Sequence, residues 1–168
     1  MSVTFTDYTD YFENIAKNLK AISHTEAEKH FYKTELEELL IGLQNTINYP
    51  ALVLEGYDIS FTDHGSDNFL KDRDGAFSIL KMCNDPNDAS KIYAIYESCE
   101  IIVNNILNII KYHKEKKTHA VVKDFEFSSV EVLPIANENG GYGMRCSFRL
   151  TSNYNTTLNL NLWKSVDF

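Results

Sequence analysis

The 168-residue chain is poor in the residues that punctuate or staple a fold, with three prolines, seven glycines and three cysteines. An odd number of cysteines without a CxxC pair excludes a disulfide framework and fits a reducing compartment. There is no Ser/Gly/Pro-rich linker, internal repeat or composition break, so one domain over 1–168 is expected. Basic residues are also scarce: 16 Lys and Arg stand against 24 Asp and Glu, a net charge of −8. That balance argues against wrapping or reading nucleic acid, which needs a basic face. The longest apolar stripe is interrupted by Asn104, Asn105 and Asn108, which excludes an ordinary membrane span. The opening MSVTFTDYTDYF has neither a basic stretch nor an apolar run, so no signal peptide is expected. GxSxG, HExxH and phosphate-cradling motifs are missing as well.

What is present is an ordinary globular composition, 43% hydrophobic and 24% charged. A chain of this length buries roughly 70% of its unfolded surface, enough for one sizeable core. The strongest signal is DPNDASKIYAIYESCEIIVNNILNIIKYHKEKK, Asp85 to Lys117. Ile92, Ile95, Tyr96, Cys99, Ile102, Val103, Ile106, Ile110 and His113 recur at steps of three and four, one face of an α-helix. Ile101, Leu107 and Ile109 widen the stripe and predict cover on more than one side. Asp85 as cap with Pro86 after it predicts a helix over 86–117, and Lys111, Lys114, Lys116 and Lys117 suit its C-terminal dipole.

The remainder reads as helix first and hairpins afterwards. Residues 1–46 look helical from Thr6 to Thr46. One stripe runs through Tyr8, Phe12, Ile15 and Leu19, and a second through Leu36, Leu39, Leu40 and Leu43. Ser23 with Glu26 could cap a new start between them. Asn48-Tyr49-Pro50 ends the helical region, and a hairpin is expected over 50–83. Its strands are the Ala51–Leu54 run with the half-buried Tyr57, Ile59, Phe61 alternation, and Gly75 to Cys83. Asp63 to Asp74 reads as an exposed loop. A second hairpin is expected over 120–151. In it Met144, Cys146, Phe148 and Leu150 oppose Arg145, Ser147 and Arg149, with the turn at Ala136–Gly143. The arm 153–168 alternates weakly and ends near Trp163. The fold class is therefore α+β, antiparallel hairpins forming a sheet against a long central helix and an N-terminal helical region.

No cluster announces a chemistry, and no catalytic residue, metal site or cofactor is expected. Asp63, His64, Asp67, Asp72 and Asp74 gather possible ligands, yet match only a fragment of a calcium loop, and a solvated loop is the plainer reading. Cys83, Cys99 and Cys146 fall on apolar faces, where a thiol is an inert small hydrophobe. Gly140-Gly141-Tyr142-Gly143 precedes no helix and is a turn rather than a dinucleotide fingerprint. Asn155-Thr156-Thr157 is a formal glycosylation sequon, without meaning unless the chain is secreted. KYHKEKK at Lys111–Lys117 is read first as a helix end and otherwise as a contact for an acidic neighbour, another copy included. The ten tyrosines and ten phenylalanines exceed what a small core must bury. Tyr8, Tyr11, Tyr32, Tyr93 and Tyr112 at stripe edges suit a subunit interface, to which Lys114 and Trp163 are added as candidates.

The order of these elements carries a resemblance. A helical start precedes YPALVLEGYDISF and GAFSILKM; KIYAIYESCEIIVNNILNII follows, and then SVEVLPIANENGGYGMRCSFRL. This layout, over Asp7 to Thr151, resembles the tail terminator or tail completion proteins that join phage tails to heads. The resemblance implies a structural, non-enzymatic virion protein, assembled in the bacterial host cytoplasm. It implies a homo-oligomeric ring, usually a hexamer, on the tail tube, meeting a tail-tube protein and a neck or head-completion protein. DNA would pass through its lumen without specific binding, past a lining for which Asp63, Asp67, Asp72 and Asp74 are the candidates, and no membrane is involved. Two other classes remain open: an intracellular binding or adaptor domain using the central-helix groove, and a hydrolase or metal enzyme with a dispersed site.

Overall fold

The first helix is set by a reciprocal cap. The Thr4 hydroxyl accepts from the Asp7 N–H at 3.1 Å while the Asp7 carboxylate accepts from the Thr4 N–H at 2.9 Å. In the computed structural model, which describes residues 3–34, 47–63, 65, 69–136, 140–162 and 164–165, this helix is α1, Phe5–Asn18. It buries Tyr8, Phe12 and Ile15 of the expected stripe and also Tyr11, while Leu19 is half-buried just past its end.

The rest of the expected helical region does not follow. Leu19 turns out of the helix, Ser23 has φ +52°, and the Glu28 N–H donates to the Thr25 hydroxyl. Ser23 therefore sits in a turn and caps no helix. Phe31–Thr34 is a strand, β1, held parallel to β2, Ala51–Glu55, with Phe31 opposite Leu52. Two aromatics and a threonine favour the pleated conformation once a strand stands beside them. The second stripe, at Leu36, Leu39, Leu40 and Leu43, lies outside the described residues.

After a cis Tyr49–Pro50 bond come β2, β3 (Asp58–Asp63) and β4 (Phe69–Met82). The returning strand starts earlier than expected, because 69–74 is no loop: it pairs with β3 on one side and β6 on the other. β3 itself is not half-buried. Ile59 and Phe61 are 47% and 55% exposed, since β3 runs beyond the helices that cover β2.

The long helix, α2, spans Ala89–Lys116 and is capped by Asp88, whose carboxylate accepts from the Ser90 N–H at 3.0 Å. Asp85 instead pairs with Lys91 at 3.0 Å. One face is fully buried (Cys99, Ile102, Val103, Ile106, Ile110); of the residues expected to widen it, Leu107 and Ile109 are half-buried against the core and Ile101 is exposed. A short turn, α3, occupies Ala120–Lys123, where strand was expected, and β5 (Phe125–Ala136) and β6 (Gly141–Asn153) complete the second hairpin.

The six strands make one mixed sheet in the order β1-β2-β4-β6-β5, with β3 added to the other half of β4. Alternation puts Leu52, Leu54, Phe77, Ile79, Cys146 and Phe148 under α1 and α2, one continuous core. The opposite face carries Glu55, Asp74, Arg145 and Arg149, and a small apolar group of Tyr32, Ala51, Val53 and Leu80. This is the α+β class. No described helix is long and apolar enough to cross a membrane.

Candidate functional site

Three places on this frame bring chemistry-bearing groups together. The first is the open face of the sheet, where alternate residues of β4 and β6 project away from the helices. Arg145 grips Glu55 through both nitrogens, Nε to Oε1 at 2.7 Å and NH2 to Oε2 at 2.8 Å, and its pKa is raised by that bond. Four residues along the strand on the same face, Arg149 Nε meets Asp74 Oδ1 at 2.8 Å. Both pairs line a shallow depression of about 360 Å³ with Asp58, Ser129 and Ser147. Each cation is spent on a carboxylate of its own chain and Asp58 adds a third carboxylate, so the depression carries a net negative charge and is no anion receptor.

The expected acidic loop is dispersed by the same pairing. Asp72 is buried and accepts from the Thr151 hydroxyl at 2.7 Å and the Thr62 hydroxyl at 3.2 Å; Asp74 is taken by Arg149. Asp63 is exposed and caps its own turn, accepting from the Gly65 N–H at 2.7 Å. Asp67 and His64 lie outside the described residues. Among the described residues no three His, Cys, Asp or Glu side chains come together to hold a metal ion.

The second place is a groove of about 740 Å³ between α1 and the C-terminal half of α2. Its floor is aliphatic (Ile15, Leu19, Ile106, Ile109) and its rim carries the amides of Asn14, Asn18, Asn105 and Asn108. At one end the Tyr11 hydroxyl lies 3.0 Å from His113 Nδ1, and the His113 and His119 rings are 4.5 Å apart. Burial, and secondarily His119, pushes the His113 pKa down, while burial alone pushes Tyr11 up. No Asp, Glu, Lys or Arg lines the groove, in a protein of net charge −8. The periodicity of α2 located its floor, but the pairing of Tyr11 with His113 was invisible because it joins two elements far apart in sequence.

The third place is made of surfaces that the chain leaves uncovered. β3 and β5 each pair on one side only among the described residues. Beyond Asn153 the chain leaves the sheet, tied by the Tyr154 N–H to the Phe69 carbonyl at 2.8 Å and by the Tyr154 ring against Phe61 at 4.8 Å. It then carries Leu158, Leu160 and Leu162 at 51%, 63% and 80% exposure, ending in a single 3₁₀ turn, Leu160–Leu162. No strand forms among the described residues of the arm. Of the expected interface residues, Tyr93 and Tyr112 are exposed on α2, whereas Tyr8, Tyr11 and Tyr32 are buried in the subunit's own packing. Lys114 is engaged within the chain, its Nζ donating to the Phe125 carbonyl at 2.5 Å. Trp163 lies outside the described residues.

The cysteines do not form a site. Cys83, Cys99 and Cys146 are buried and unbridged, and burial raises the thiols of Cys99 to about 11 and Cys146 to about 12. A side chain that sequence reading missed is Arg73, read as part of an exposed loop. It is fully buried over the Tyr57 ring, donating to the Ser152 hydroxyl at 3.1 Å and the Val3 carbonyl at 3.4 Å. Its strand, flanked on both sides, carries it under the N-terminal segment.

No protein-family model matches the chain, and no curated protein matches it either.

Proposed function

We propose that this chain is a structural subunit of a tailed-phage virion, a tail terminator or neck component that closes into a ring, six-membered in the usual case, on the end of the tail tube. The observation that carries this reading is the outer edge of β3, a six-residue strand that among the described residues pairs only with β4 and bears exposed Ile59 and Phe61. An edge of that kind pairs with other chains unless something covers it. A head-to-tail contact that closes by rotation makes a ring, and the second outer edge, β5, offers the complementary side. The order helix, hairpin, long helix, hairpin supports the likeness to that group, with β1 as an addition to the expected layout. On this reading the tail-tube protein and a neck or head-completion protein are the partners, and DNA traverses the lumen without specific contact. Of the three candidate lining carboxylates among the described residues, Asp63 is exposed, and Asp72 and Asp74 are committed to internal bonds.

The test is mass and shape. Light scattering and electron microscopy of the chain, alone and with its tail-tube partner, should give closed oligomers; a chain that stays monomeric in both settings overturns the reading. A second reading, an adaptor domain without catalysis, is favoured by the groove between α1 and α2, which no Asp, Glu, Lys or Arg lines. A monomer that binds an aliphatic, amide-rich peptide there would select it.

A further inference from the structure

We infer that the arm Tyr154–Leu162 of one copy seats in the α1–α2 groove of a second copy, fastening neighbours together. The inference rests on the ring reading above and supplies a contact that the sheet edges do not. Its basis is a match between two surfaces of the same chain that are not in contact with each other in the single subunit.

The arm reads YNTTLNLNL: nine residues without a formal charge in a chain that is 24% charged. Its three leucines fall at every second position, and asparagines separate them. In the free subunit these leucines face solvent, and the arm's order beyond Tyr154 rests on local bonds. Asn159 accepts from the Leu162 N–H through its carbonyl at 3.1 Å and from the Asn161 N–H through Oδ1 at 3.1 Å. Three successive exposed leucines on one short segment are more than scattered surface residues and mark a contact.

The groove has the converse character. It too lacks Asp, Glu, Lys and Arg, its floor is aliphatic, and its rim presents side-chain amides from both helices. The lengths agree. Leu158 to Leu162 in extended form spans about 13 Å at the rise of a strand. Asn105 to His113 along α2 spans about 12 Å at the rise of a helix. Leucines would enter between Ile106 and Ile109, and Asn159 and Asn161 would exchange their local bonds for the rim amides of Asn14 and Asn108. A charged peptide would leave unpaired charge against that wall; this arm leaves none.

The test is site-directed cross-linking of the full chain. The native cysteines are buried, so Leu160→Cys and Asn108→Cys introduce the reactive thiols. Mixing the two single variants under mild oxidation should yield a reducible L160C–N108C heterodimer, in excess over either homodimer, and lost when Ile109→Asp is added to the groove partner. In the double variant L160C/N108C, linked oligomers support the inference; an internally linked monomer overturns it, because the arm then folds back on its own subunit. Absence of any link while light scattering still reports closed oligomers also overturns it and leaves the ring reading standing. A chain that is monomeric and unlinked at every concentration, with the tail-tube protein present as well as absent, sinks both.

Discussion

Tyr8 lies over Gly75 so closely that a Cβ on Gly75 would stand 2.6 Å from the tyrosine hydroxyl. The hydroxyl also donates to the Glu55 carbonyl at 3.1 Å, so this one contact sets the height of α1 above the sheet. Gly75→Ala is expected to cost about 1–3 kcal/mol by overpacking. Tyr8→Phe should cost about 1 kcal/mol for the lost hydrogen bond. In the double variant the nearest ring atom is 3.3 Å away, a tight contact but no longer a severe clash, so the combined loss should fall short of the sum. Additive denaturation midpoints would show that the two residues do not meet as described.

Gly143 is under a stricter constraint, since a Cβ there would come within 1.7 Å of the Ile79 carbonyl oxygen. The obstacle is backbone and cannot swing away. Gly143→Ala should therefore cost more than Gly75→Ala, on the order of 4 kcal/mol or failure to fold. Urea unfolding of the two variants side by side ranks them.

Glu55 and Arg145 are the pair whose loss should be felt most on the open face, their side chains being 8% and 24% exposed. Truncating one partner strands the other, a cost of about 3–5 kcal/mol when fully buried. Partial exposure of the guanidinium reduces this to about 2 kcal/mol for Arg145→Met. Asp74→Asn, at the more exposed pair, should cost about 0.5 kcal/mol. Equal losses at the two sites would refute this ranking.

Stability should depend on pH through His24 and His113, both held below the usual imidazole pKa chiefly by burial. His24 Nδ1 accepts from the His30 N–H at 3.1 Å, a bond that protonation of that nitrogen removes. A depressed folded-state pKa means the unfolded chain takes up protons first. The contribution is thus fully present above about pH 6.5 and is lost as pH falls through the folded values. Thermal melts between pH 8 and 5 should decline below that point, with a shallower slope in His24→Gln/His113→Gln.

Native thiol chemistry should be slow. With Cys99 raised to about 11 and Cys146 to about 12, and all three cysteines buried, a disulfide reagent at pH 8 should label them only as the chain opens. Rapid labelling of any of the three in the folded protein would contradict their placement.

How much of this was readable beforehand follows from the range of each interaction. The buried stripe of α2 and the two faces of β6 are local periodicities, and Met144, Cys146, Phe148 and Leu150 do face the core as their spacing requires. The split of Arg145 and Arg149 to the other face was equally legible; their partners Glu55 and Asp74 were not, because register between strands is not written in either strand alone. Phe31–Thr34 was misread because its strand state depends on β2 twenty residues later. Residues 69–74 look polar and turn-like, yet Arg73 and Asp72 are buried by neighbours on both sides. Of the groove, the aliphatic floor was visible in the heptad-like spacing, while the rim amides and the Tyr11–His113 contact depend on how α1 lies across α2.

The central seam of the sheet joins β4 to β6, and the whole of α2 lies between them in sequence. The hairpins on either side and the helix can each begin from neighbours in the chain, but the seam requires a long loop to close before any of its bonds form. Assembly of the subunit should accordingly be slow for its size, in the millisecond-to-second range typical of chains dominated by distant pairings. During that interval β4 and β6 both stand with raw flanks, so the period before the seam shuts is when copies at high concentration are most exposed to pairing wrongly.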